Sequence, residues 1–309
     1  MTTSHEPNPI ILGPAGVGPP DVVPSIDPAV ASERSQARRE NWRLIRRRPS
    51  FIIGSLIVLF WTACAIFGEG ITRYPIDADD WPSLEPPSSS NWFGTDYLGR
   101  DIMSRVMHGA REVFLVAPPA ALLGVIGGVI LGLIMGYKGG LTDSVLSRIV
   151  EAFLAMPTIL IALLAITALG SGKTVVIGTV AVLFIPIVAR TVRAAVLAER
   201  NLDYVTSARL RGENTVFIVG REILPNVMGP IIVETTVRIG YAIFTVAGLA
   251  FLGAGPEQGS TDWGAQVSEA RPFLNAGTWW PTIFPALAIA SLVVAVNLIA
   301  DAVQSVLEA

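Results

Sequence analysis

The sequence predicts an all-α, polytopic membrane protein with six transmembrane helices. Three observations carry that prediction. Hydrophobic residues make up 51% of the 309 and charged residues only 15%, whereas globular domains carry roughly 25% charge. The apolar residues gather into six stretches, at about 50–69, 113–137, 149–169, 174–197, 227–253 and 280–306. Each is near the length of about 20 residues that a bilayer core demands, and backbone facing lipid must bond within a helix. Finally, with the N-terminus placed in the cytoplasm, 15 of the 22 lysines and arginines fall on inside segments and 6 on outside ones, leaving only Arg238 within a span. Positively charged loops stay inside, so both termini are expected in the cytoplasm of a multi-pass protein of the cell inner membrane.

Residues 1–32 are rich in Pro, Gly and Ser and too poor in large apolar groups to order themselves, so a disordered cytoplasmic tail is expected there. The first long apolar core begins near Phe51, so no cleavable signal peptide is expected. Residues 33–70 hold a basic stretch, "ERSQARRENWRLIRRR", followed by the first span. The stretch reads either as a helix lying on the membrane surface or as a flexible charge cluster that sets topology.

Residues 71–112 form an extracytoplasmic segment. Within it, "FGTDYLGRDIMSRVMHGARE" at 93–112 places Ile102, Met103, Val106, Met107 and Ala110 on one helical face. Asp96, Arg100, Asp101, Arg105 and Arg111 fall on the rest, where they can pair among themselves. That pattern predicts an amphipathic helix at the outer membrane surface, either bracing the second span or docking a partner.

Residues 113–309 hold five spans, a cytoplasmic loop at 200–226 and an extracytoplasmic loop at 254–279. The second span carries Gly124, Gly128, Gly132 and Gly136, each four residues apart. Small residues at that spacing let two helices approach closely in lipid, within the chain or between subunits. Met156-Pro157 and Pro186 are positioned to kink the third and fourth spans. Charges within spans are costly and face the bundle or water. Arg238 lies near the midplane of the fifth span with Glu234 four residues before it, where the two can pair. They line a translocation path or its gate, or lock helices together. Glu151, Arg190, Arg193, Asn297 and Asp301 lie towards the cytoplasmic ends.

Other chemistries find little support. Cys64 is a single cysteine in an apolar run, and His5 and His108 have no partner at ligand spacing, so no metal site is expected. "GSGKT" at 170–174 imitates the end of a phosphate-binding loop, but position 167 is Thr where the pattern wants Gly, and no strand precedes it. It reads as a turn between spans, and this chain is expected to bind no nucleotide and no other cofactor.

The cytoplasmic loop carries the most specific signal, "NLDYVTSARLRGENTVFIVGREILPN" at 201–226. Leu202, Val205, Ala208 and Leu210 suit one face of a helix. Gly212 suits its left-handed stop, Asn214 a cap for a second helix, and Pro225 disfavours helix at Leu224. The prediction is a helix–turn–helix projection held by a span at each end. "YVTSARLRG" and "ILPN" resemble the conserved cytoplasmic loop of binding-protein-dependent ABC importer permeases, with Thr206, Ser207 and Ala208 in the Glu-Ala-Ala places and Gly212, Leu224 and Pro225 in the others. The 93–112 segment is similar to the signature before the second span of peptide and nickel importers. "FLGAGPEQGSTDWGAQVSEAR" and "WWPTIFPAL" resemble the segment before their last span, with Pro285-Ala286 in place of their Pro-Gly.

The resemblance spans about residues 40–309 and is strongest to the C-type permease subunit of dipeptide and oligopeptide importers. It implies the type I ABC importer permease fold and a transport subunit that is not an enzyme. It also implies a second, B-type permease, ATPase subunits that hold ATP and Mg, an extracytoplasmic peptide-binding protein, a peptide substrate and surrounding membrane lipid, with no nucleic acid. Coupling to the ATPases falls on Tyr204, Thr206, Ser207, Ala208, Gly212, Leu224 and Pro225, and receptor docking on the 93–112 charges. An ion-gradient-driven six-helix transporter or channel stays open as the alternative, with a membrane scaffold as a third reading.

Overall fold

A computed structural model describes Ile45 and residues 48–256 and 259–307. The expected tail and most of the basic stretch at 33–48 lie outside the described residues. Among those described, regular structure is helical, and the β-type pairing is an isolated antiparallel bridge between Thr95 and Asp101. The elements are α1 (Pro49–Ile71), α2 (Ile102–Lys138), α3 (Gly140–Leu154), α4 (Thr158–Leu169), α5 (Lys173–Glu199), α6 (Asp203–Leu210), α7 (Thr215–Phe217), α8 (Leu224–Asn226), α9 (Met228–Leu249), α10 (Trp263–Ala270) and α11 (Trp280–Leu307). Wider π turns at Ile218–Ile223 and Ala250–Ala254 and a 3₁₀ turn at Arg271–Ala276 complete the set.

Five helices are long and apolar enough to cross a membrane, and α3 with α4 makes a sixth span if that pair counts as one. The pair is bent by 85°. The third span is therefore broken rather than merely kinked: Pro157 takes an extended backbone (φ −61°, ψ 109°) as the cap of α4, because it has no N–H to continue the ladder from α3.

The bundle is organised on α2 and α5. Gly124, Gly128, Gly132 and Gly136 face Phe184, Val188, Val192 and Val196 in turn, so close that an added Cβ at Gly132 would lie 2.7 Å from the Val192 Cβ and 2.8 Å from the Ala189 carbonyl oxygen. The glycine stripe thus packs two helices of one chain, which decides between the two readings of its spacing. Val188, Val192 and Val196 are fully buried there. Towards the outer side α1, α2, α9 and α11 share a second core around Trp61, Ile102, Val106, Ile243, Leu249 and Leu292. Gly54 makes room for the Ala295 carbonyl where α1 meets α11.

Two sequence expectations are corrected. The second span does not start at 113: α2 runs unbroken from Ile102 through 37 residues, tolerating Pro118 and Pro119 in its interior. The stretch 93–112 is therefore not a separate surface helix. Its first part, 93–101, is a turn, and its second is the outer end of α2.

Candidate functional site

The projection at 201–226 is built as two short helices joined by a helix stop. Gly212 adopts φ 77°; its N–H donates to the Arg209 carbonyl (3.0 Å) and the Glu213 N–H to the Ala208 carbonyl (3.2 Å). These are the paired bonds of a Schellman motif, which a left-handed glycine allows at no steric cost. Asn214 caps the next helix, its side-chain oxygen accepting from the Phe217 N–H at 2.8 Å. The chain then widens into the π turn, where the Leu224 N–H reaches the Val219 carbonyl.

Leu224 is helical (φ −54°, ψ −44°), contrary to the expectation drawn from Pro225. The wide turn re-routes the backbone bonds around the proline, so the helix bulges there instead of ending.

Val205, Ala208, Ile218, Ile223 and Val227 are buried together against Val188, Val192 and Val196 of α5. The projection therefore shares one buried core with the end of α5 that it follows. Arg209 lies over the Tyr137 ring at 5.2 Å, and Arg200 donates to the Gly136 carbonyl at 2.8 Å, tying the projection's base to the end of α2. Tyr204 donates its hydroxyl proton to Glu199 at 2.6 Å. Burial, then the neighbouring carboxylate, push its pKa up to about 12.

Leu202 and Leu210 do not join the buried face as their spacing suggested: they are 47% and 84% exposed. Thr206 and Ser207 are exposed with them, Val216 is 81% exposed, and nothing lies within 4 Å of a Cβ built on Gly212. The tip exposes Leu210 and Val216 on either side of an uncrowded turn that also carries the Arg211–Glu213 pair.

At the other end of the bundle the 93–112 charges are buried, not displayed. Asp96 is 8%, Arg100 6%, Asp101 3% and Arg105 1% exposed; Arg111 is exposed. Asp96 accepts from the backbone N–H groups of Leu98 (2.8 Å) and Arg100 (2.9 Å) and from the Arg100 Nε at 2.7 Å. Asp101 caps α2 through the Ser104 N–H (2.8 Å) and accepts from Asn91 (3.0 Å).

Arg105 donates to the carbonyls of Ile76 (3.3 Å), Gly259 (2.9 Å) and Ser260 (2.8 Å), stitching two outer segments onto α2. The expected pairing therefore exists, but as an internal clasp. These groups precede or cross the start of α2, so helical spacing misassigned their face.

Composition alone did not flag the partners of this clasp. Trp263, fully buried, donates its ring N–H to the Val106 carbonyl at 2.7 Å and meets Trp61 edge-on at 4.7 Å. Gly109 of α2 leaves space for that indole, 2.6 Å from where a Cβ would stand. Gln266 donates to the Thr261 carbonyl at 2.7 Å, and Glu269 accepts from Gly259 N–H at 2.7 Å. Asp262 caps α10, and burial pushes its carboxyl above the usual carboxylate range. The signal available in the sequence was the run Asp262-Trp263-Gly264, a cap followed by a bulky and a small residue.

Within the bundle, Arg238 and Glu234 form the expected pair at 2.7 Å, each side chain 13% exposed. The guanidinium also lies over the rings of Tyr241 (5.0 Å) and Phe184 of α5 (5.7 Å). The "GSGKT" stretch is a turn: Gly170 ends α4 at φ 95°, Gly172 caps α5, and Lys173 pairs with Glu112 of α2 at 2.7 Å. Among the described residues no group of three or more His, Cys, Asp or Glu side chains is placed to hold a metal ion.

Residues 128–309 match the family of binding-protein-dependent transport system inner membrane components, and residues 36–87 match the N-terminal transmembrane domain of oligopeptide transport permease C. The chain belongs to the binding-protein-dependent transport permeases. The dipeptide transport system permease protein of Bacillus subtilis is 34% identical over 87% of this permease and 85% of its own length. A glutathione transport system permease protein of Pectobacterium atrosepticum is 38% identical, over 87% and 90%. A di/tripeptide transport system permease protein of Pseudomonas aeruginosa is 33% identical, over 87% and 91%.

The permease is thus a multi-pass inner-membrane subunit of an ABC importer, a transport component rather than an enzyme. That membership decides against the ion-gradient transporter and the scaffold.

Proposed function

We propose that this permease forms half of the translocation path of an importer for di- or oligopeptides, the other half being a second, B-type permease. An extracytoplasmic peptide-binding protein delivers the solute. Two ATPase subunits, which hold the ATP and Mg, drive the cycle from the cytoplasm, where both termini of this chain lie. The relatives' peptide substrates support the choice of solute.

The observation that carries the coupling role is the projection's exposed tip, Leu210 and Val216 flanking Gly212, on a base buried against α5. Leu210 and Val216, each more than four-fifths exposed on either side of the turn, give a partner two apolar side chains to cover. A partner that moves the tip moves α5 and α9 with it. Thr206, Ser207 and Gly212 belong to the contact surface, while Tyr204, Ala208, Leu224 and Pro225 hold its shape. The Glu234–Arg238 pair faces the path or its inner gate, and the outer clasp presents the surface on which the receptor sits.

Gly212→Asp tests the coupling role. A side chain at φ 77° strains the turn and adds a second carboxylate beside Glu213 at its tip. Membrane insertion is expected to persist and uptake to be lost. Full uptake in membranes containing the variant refutes the coupling role.

A further inference from the structure

A groove of about 410 Å³ opens where α3, α2 and α5 meet on the cytoplasmic side, within the size range of small-molecule sites, about 300–1,000 Å³. Its apolar wall is Met135, Val150 and Leu154; its charged rim is Arg190, Arg193 and Glu151. The three charges are not equivalent. Arg193 is committed, its Nη2 donating to the Asp143 Oδ2 at 2.7 Å and its Nε to the other oxygen. Glu151 pairs at 3.4 Å with the loosely held Arg148, their side chains 64% and 86% exposed, and also feels the charge of Arg193. Arg190 is exposed, and its side chain has no hydrogen bond or ion pair among the described residues.

Arg190 lies nine residues before the end of α5 at Glu199, about 13 Å into the helix at about 1.5 Å per residue. An arginine on a membrane-spanning helix turns to the bundle interior or to water, or reaches along its stem to the interface, and in each place it can meet an anion.

We propose that this groove binds a short zwitterionic peptide on its way to the cytoplasm, its carboxylate on Arg190, its ammonium towards Glu151 and its side chains against Met135, Val150 and Leu154. The proposal rests on the reading that peptides are the solute. Arginine suits the role because its planar fork takes both carboxylate oxygens. The apolar wall has no hydrogen-bonding demands, so it accepts side chains of different kinds, as a permease serving many sequences requires. An acidic side chain of the second permease is the competing partner for Arg190, and the experiment separates the two.

The complete importer, reconstituted in liposomes with saturating receptor, is assayed for uptake of dialanine, dialanine amide and N-acetyl dialanine. Arg190→Gln is expected to raise the KM for dialanine by at least about tenfold, the low end for losing a charge-assisted contact, and to leave the amide unchanged. Arg190→Lys restores part of the difference. Glu151→Gln is expected to weaken dialanine uptake and leave the N-acetyl form unchanged.

Equal effects of Arg190→Gln on acid and amide overturn the site, and loss of co-purification with the second permease then identifies the acidic partner. No effect on either substrate overturns it as well. If the unaltered importer moves none of the three while its ATPase responds to receptor, the peptide reading itself fails and takes the site with it.

Discussion

The contact between α2 and α5 is tight enough to predict the effect of one methyl group. Replacing Gly132 by alanine puts a Cβ 2.7 Å from the Val192 Cβ, 2.8 Å from the Ala189 carbonyl oxygen and 3.0 Å from the Val192 Cγ1. Ordinary carbon–carbon contacts begin near 3.5 Å, so the helices must part by roughly 1 Å. Neither neighbour yields: Val192 and Ala189 are both fully buried, and a valine Cβ moves only with its backbone.

Overpacking of this kind costs about 1–3 kcal/mol. Two other alanine substitutions calibrate it. At Gly127 the added atom meets the flexible tip of Ile185, 2.8 Å away, and at Gly178 it meets nothing within 4 Å. Gly178→Ala should be neutral or stabilising by up to about 1 kcal/mol, because glycine is the poorer helix former.

Thermal unfolding of the purified chain in detergent, followed by tryptophan fluorescence, should rank the variants Gly178, Gly127, Gly132 from most to least stable. The pair Gly132→Ala with Val192→Ala should recover part of the loss. If Gly132→Ala unfolds at the same temperature as Gly178→Ala, the inference of a close intrachain contact is wrong.

Three further outcomes follow from the geometry. Arg238→Ala strands Glu234 within the bundle and should cost about 3–5 kcal/mol; Glu234→Gln with Arg238→Gln should restore folding, and uptake that recovers with it would show a lock rather than a path. Arg105→Met removes the donor to three outer carbonyls, each charge-assisted bond being worth about 1.5–3 kcal/mol, and limited proteolysis should then cut within 254–279 faster than in the unaltered chain. Tyr204, its folded pKa raised from 10.0 to about 12, contributes stability that is fully present below about pH 10 and is lost as the pH rises through about 12. A tyrosinate absorbance step near pH 12 that disappears in Tyr204→Phe checks this, and a step near pH 10 for that residue contradicts it.

The sequence alone determined what depends on neighbours along the chain. Apolar runs of bilayer length set the spans, the left-handed Gly212 and the cap Asn214 set the projection, and Glu234 reaches Arg238 because one helical turn brings them together. The tertiary structure decided everything that depends on which surface meets which. It showed that the glycine stripe faces Val188 and Val192 of the same chain, that Arg105, paired with Asp96, clasps the carbonyls of Gly259 and Ser260, that Leu210 turns outward while Val205 turns in, and that the chain bends by 85° between Leu154 and Thr158. Periodicity states that a face is apolar, small or charged; only packing selects the surface that covers it, because many pairings satisfy the same pattern and differ in fit by less than a side chain's width.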